Sequence, residues 1–205
     1  QRVQEIDPEF AGGYTGEAWS YSLPVLFQTS SDPQTDLARS ETFARRAIDV
    51  DPGFAAAYAL LGFTQALAGK GMESLDNTRV AGALEPGDPF VQLLRGTSLI
   101  IAGLPEESFA PLDEAFRLNP AEIRAPYLYV QAIGRVANRE YEQAIGIIHQ
   151  NTSRGGPNGP HMEIFRAVAL IHLNRLEEAR FIVEDLNGSF PNYPYKGWLA
   201  YWLPD

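Results

Sequence analysis

The chain has 205 residues, 45% of them hydrophobic and 20% charged, enough apolar matter for one buried core and too much for wholesale disorder. Its 16 basic and 26 acidic residues leave a net charge of −10, a surface that repels phosphate backbones and argues against nucleic acid as a partner. The absence of cysteine excludes disulfides, thiolate metal sites and thiol nucleophiles, and no apolar run reaches the roughly 18 residues that a membrane-spanning helix needs.

In chain order, Gln1-Arg2-Val3-Gln4-Glu5-Ile6-Asp7-Pro8 reads like Arg45-Arg46-Ala47-Ile48-Asp49-Val50-Asp51-Pro52. Both look like the close of a helix followed by Asp-Pro, so residues 1–8 are expected to be the end of a truncated unit in a fragment of a longer protein. Tyr14-x-x-Glu17-Ala18-x-x-Tyr21 opens the next unit, 11–52. From Pro8 to Pro52 is 44 residues, ten more than the spacing that follows, and the surplus is expected in an apolar insertion at 23–31 that folds back onto the rest. Asp32-Pro33 predicts a helix start, an N-cap followed by proline at the first helical position. That helix carries Leu37, Ser40, Phe43, Ala44, Ala47 and Ile48 on one stripe.

Residues 55–122 then write one pattern twice at a spacing of 34: Gly62 recurs as Gly96, Ser74 as Ser108, Ala81 as Ala115 and Pro86 as Pro120. The units are 55–88 and 89–122, and a period of that length means stacked helix–turn–helix elements. Asp51-Pro52, Asp88-Pro89 and Asn119-Pro120 are each expected to end one helix and cap the next. The unit 125–156 holds the period only if about two residues are added before its first helix, which brings Leu128, Ala132, Ala144 and Ile148 into register. A loop follows at Asn151–Gly159, where Gly156 is expected to tolerate a side chain. The unit 160–192 carries Ala167, Leu170, Leu176, Ala179, Val183 and Pro191. In 194–205, Tyr195, Trp198, Leu199 and Trp202 share one face and predict a capping helix docked on the unit before it.

The residues Tyr58-x-x-Leu61-Gly62-x-x-Gln65, Ser74-x-x-x-Thr78 and Pro86, with their second copy Gln92-x-x-Arg95-Gly96-x-x-Leu99, Ser108-x-x-x-Leu112 and Pro120, resemble the tetratricopeptide repeat. The resemblance implies an all-α, right-handed α-solenoid of about five helix pairs with a C-terminal capping helix. It places Gly62 and Gly96 where the two helices of a unit touch, and Ala81 and Ala115 between units. Ala18-Trp19-Ser20-Tyr21 with its insertion, Asn119-Pro120 before Pro126-Tyr127-Leu128-Tyr129, and Trp198 before Leu203-Pro204 are also similar to repeat arrays attached to bacterial class III adenylate cyclase or winged-helix regulatory proteins.

No catalytic, cofactor or metal site is legible. His161 and His172 lie about 16 Å apart along a helix axis and cannot share one ion. The adjacent acidic pairs, such as Glu106-Glu107 and Glu177-Glu178, diverge by about 100° on a helix and make no catalytic dyad. The informative surface is the groove that the first helices of the units would line, with Trp19, Phe63, Phe90, Leu93, Thr97, Tyr129, Ile133, His161 and Ile164 as its partner-binding residues. The Lys, Arg and Asn with which some tetratricopeptide proteins hold a carboxylate are missing from these positions. The sequence therefore predicts a non-catalytic module that binds a protein or peptide segment in an apolar groove, as a regulatory part of a larger bacterial protein. Self-association is the alternative, an unrecognised enzyme the weaker one. Cytoplasm is favoured over periplasm.

Overall fold

A computed structural model describes residues 6–122, 126–156 and 158–203, without the side chain of Tyr201. The resemblance of residues 1–5 to a helix end therefore lies outside the described residues, as do Ala125 and Pro204. Among the described residues there are eleven α-helices and no strand. They run α1 Ala11–Leu26, α2 Pro33–Val50, α3 Ala55–Leu67, α4 Gly71–Leu84, α5 Pro89–Ile101, α6 Phe109–Leu118, α7 Tyr127–Ala137, α8 Tyr141–Ser153, α9 Pro160–His172, α10 Leu176–Ser189 and α11 Tyr195–Trp202. Helices α1 to α10 pack as five successive pairs. The first helices of neighbouring pairs also touch, α3 against α5 and α7 against α9, which makes the stack an α-solenoid with one further helix after it.

The pairs close where the sequence supplies no side chain. A Cβ on Gly62 would lie 2.5 Å from Thr78 Cγ2 and 2.9 Å from the Ser74 carbonyl oxygen, and one on Gly96 would lie 2.4 Å from Leu112 Cγ. Real Cβ atoms do not approach so closely, so α3 against α4 and α5 against α6 depend on glycine at these points. The small residues between pairs are buried to match: Ala81, Ala115 and Ala144 are fully covered, and Ala179 nearly so.

Each turn from a first helix to its partner follows one design. Gln28, Gly69, Gly103, Arg139 and Asn174 take φ of 56°, 73°, 81°, 63° and 59°. Their N–H groups, and those of the residues after them, donate back to the helix end, as in Lys70 to the Gln65 carbonyl and Glu140 to the Arg135 carbonyl. This left-handed closure satisfies carbonyls that a helix C-terminus leaves open, and glycine adopts it at no steric cost.

The Asp/Asn-Pro signals divide. Asp32 accepts from the Thr35 N–H, and Asp88 from the Phe90 and Val91 N–H groups, so both cap the helix that follows. Asp51 and Asn119 do not: α3 starts only at Ala55 and α7 only at Tyr127, and the two residues stand at the C-terminal ends of α2 and α6. Too many residues separate them from the next free N–H groups. The surplus of the first pair is likewise not confined to 23–31. Helix α1 has 16 residues against 13 in α3, α2 has 18 against 14 in α4, and the rest lies in the turn between α1 and α2. Gly156 is not an open position either, since a Cβ there would lie 2.1 Å from Asn151 Oδ1. Gly188, with nothing within 4 Å, is a tolerant one.

Replacing Gly96 by Leu should overpack the α5–α6 contact and cost about 1–3 kcal/mol or more. Gly188→Leu should leave the urea midpoint close to wild type. Equal midpoints for the two variants would mean that the helices do not meet at Gly96.

Candidate functional site

The first helices α1, α3, α5, α7 and α9 form the inner face of the stack, and all nine residues read from the sequence as groove-lining lie on them. Their environments differ. Phe63 and Ile133 are fully buried, and Leu93, Thr97 and Tyr129 are no more than 8% exposed. The Thr97 hydroxyl donates to the Leu93 carbonyl within its own helix. Trp19, Phe90, His161 and Ile164 keep partial exposure. Much of the predicted lining is therefore already covered by the chain itself.

Two ring clusters show what covers it. At one end, Trp19 of α1 lies over Phe63 and Phe90, with ring centroids 5.6 and 5.5 Å away. At the other end the cover is α11. Its Trp198 ring lies 5.6 Å from His161 and stacks at 5.6 Å, nearly parallel, on Phe27 from the turn after α1. His161 in turn meets Tyr129 edge-on at 5.0 Å. Trp198 and Trp202 are both 1% exposed. The Trp198 indole and the Tyr129 hydroxyl lie against one another, yet neither they nor the Trp202 N–H closes a hydrogen bond of normal geometry.

The helix predicted as a cap thus buries its aromatic face within its own chain, against α9 of the unit before it and also against α5. Its seat is the inner face of the stack. Because Trp198 meets the starts of α7 and α9 while Leu203 meets residues at their ends, α11 runs along the groove in their direction.

Beyond Leu203 the groove stays open as a cleft of about 760 Å³. Ile100, Val136 and Val168 supply apolar walls, and Arg139, Tyr141 and His172 are polar neighbours, with His172 stacked on Tyr141 at 4.5 Å. Arg139 is exposed and, among the described residues, makes no ion pair, while Arg135 beside it pairs with Glu140. Sequence reasoning missed Phe27, Trp198, Trp202 and Arg139 as groove residues. The spacing of 34 between Gly69 and Gly103 was the available signal for Arg139, because it marks the turn position that the arginine occupies one unit later.

Among the described residues no cluster of three or more His, Asp or Glu side chains is placed to hold a metal ion. No described helix is long and apolar enough to cross a membrane.

No protein-family model matches the sequence, and no curated protein matches it. Solved structures do. YrrB, a TPR protein with an unusual peptide-binding site, superposes with a TM-score of 0.59 at 17% identity over 94% of this chain and 92% of its own. TTC0263, a thermophilic TPR protein of Thermus thermophilus, gives 0.64 at 18% identity over 82% and 89%. The chain has the tetratricopeptide-repeat fold. MamA is similar over 89% of this chain and 96% of its own, with a TM-score of 0.59 at 13% identity.

Burial among the three rings lowers the His161 pKa below the ordinary imidazole value of 6.5, and its place in the first turn of α9 disfavours a cation in the same sense. The unfolded chain then takes the proton first. This contribution leaves stability unchanged above about pH 6.5 and subtracts from it as pH falls from there through the folded-state pKa. NMR titration should find the His161 resonance moving below pH 6.5. Relative to His161→Phe, wild type should lose stability across that window, whereas a gain would show that the rings hold the imidazolium instead.

Proposed function

We propose that the chain is a non-catalytic protein-interaction module whose inner groove receives a segment of another protein, as the regulatory part of a larger bacterial protein. The observation that carries this reading is the open cleft beside Leu203 with Arg139 at its edge. Arg139 is held at φ 63° at a cost of about 1 kcal/mol, in a turn where two of the other pairs use glycine and two use Gln28 and Asn174. A partner segment would set apolar side chains against Ala137, Val168 and Leu203, which keep partial exposure in the cleft, and an acceptor against the Arg139 guanidinium. YrrB, of the same fold, has a peptide-binding site, and a peptide is the partner that this cleft suits.

The test places a photo-crosslinking residue at Val168, in the cleft, and at Asp76, exposed on α4. Partner adducts should form from Val168 and not from Asp76. Arg139→Gly should raise the melting temperature while lowering the adduct yield. Equal labelling from both positions, or a yield indifferent to Arg139→Gly, would sink the cleft as the binding site.

Self-association is a second reading, favoured by a separate observation. Phe181 is 73% exposed at a cleft of about 370 Å³ lined by Ile145, Leu170 and Ile182. If copies meet there, sedimentation should show a dimer that Phe181→Asp converts to monomer. A monomer in both cases removes this reading.

A further inference from the structure

Resting on the groove reading above, we propose that α11 is a displaceable internal ligand: the groove takes, in its place, a partner helix presenting two large aromatic side chains one turn apart. The chemistry of that partner is written by the occupant now seated there. Trp198 and Trp202 stand four residues apart, on one face, and both are buried completely. Around Trp198 the receiving surface is aromatic, made by Phe27, Tyr129 and His161.

Three observations make the seat exchangeable. Helix α11 has eight residues and no side-chain cap, so it has little stability of its own apart from docking. The buried Trp202 N–H closes no hydrogen bond, and the Trp198 N–H and the Tyr129 hydroxyl, though adjacent, do not meet in normal hydrogen-bond geometry. A partner with Phe in place of either Trp, or with an acceptor facing Tyr129, takes the seat without that loss. Finally, Phe190-Pro191-Asn192-Tyr193-Pro194 tethers α11 by a short exposed or half-exposed link, and Phe190 is 43% exposed. The tether keeps α11 at high local concentration, which sets the affinity that a partner must exceed.

A lock tests the exchange. A Cβ on Gly197 would lie 3.6 Å from Gln28 Cγ, and the chain has no other cysteine to interfere. In Gln28→Cys with Gly197→Cys, oxidation should hold α11 in the groove and reduction should free it. The probe is a fluorescein-labelled synthetic peptide of residues 191–205, read by anisotropy with the full-length chain, with far-UV CD confirming that both redox forms keep the fold. The reduced double variant and wild type should bind the peptide, and the oxidised form should lose at least tenfold in affinity. In wild type labelled at the indole nitrogens, unlabelled peptide should shift the Trp198 and Trp202 N–H signals toward solvent values. Equal binding by the oxidised and reduced forms would place the peptide outside the seat of α11 and overturn the exchange, without touching the open cleft. No binding by any form, with both indole signals unmoved at saturating peptide, would make α11 a permanent part of the core and overturn the exchange alone, leaving the open cleft as the site.

Discussion

Two helices can lie side by side at backbone contact only where one of them lacks a side chain, and in this chain that condition fixes much of the rest. Gly62 against Thr78 and Gly96 against Leu112 are the same contact one unit apart. Once α3–α4 and α5–α6 are closed there, Ala81 and Ala115 fall between units, fully buried. Repetition of a close contact at constant spacing leaves no freedom but to stack. The inner face of the stack then follows, because each first helix has a partner on one side and first helices of adjacent pairs as further neighbours.

The left-handed turns carry the same logic at the helix ends. Gly69 and Gly103 let the chain reverse within three residues while the last carbonyls stay paired. Gln28, Arg139 and Asn174 make the reversal without that freedom. Asparagine is the usual exception to the rule against positive φ, arginine much less so. Gln28, in the turn after α1, and Arg139, in the turn beside the open cleft, depart furthest from local preference.

What the sequence made legible was whatever recurs. The small contact positions, the second-helix alanines and the Asp32 and Asp88 caps all repeat a local rule, and they stand in the structure where that rule puts them. Asp51 and Asn119 have the same dipeptide as Asp88, but a cap also needs the next helix to begin at once, and the distance to that start is not written in the dipeptide. The inner face was legible as a set of residues and not as a surface. Phe63, Tyr129 and Ile133 are buried, Phe63 under Trp19 from near the start of the chain and Tyr129 beside His161 and the C-terminal Trp198. An apolar face such as that of α11 states how much area must be buried and says nothing of where.

That asymmetry bears on how such a groove can work. An apolar surface lined by Phe63, Phe90, Tyr129 and Ile133 would be a liability if left open. A fully covered one would be an ordinary core. This chain takes a middle course, with α1 covering one end, α11 the other, and a cleft remaining where α11 stops at Leu203. The two covers differ in kind. Helix α1 is 16 residues long, belongs to a pair and is packed on both α2 and α3, so removing it would dismantle a unit. Of the described helices that lie on the groove, α11 is the one that belongs to no pair, and lifting it leaves every pair intact.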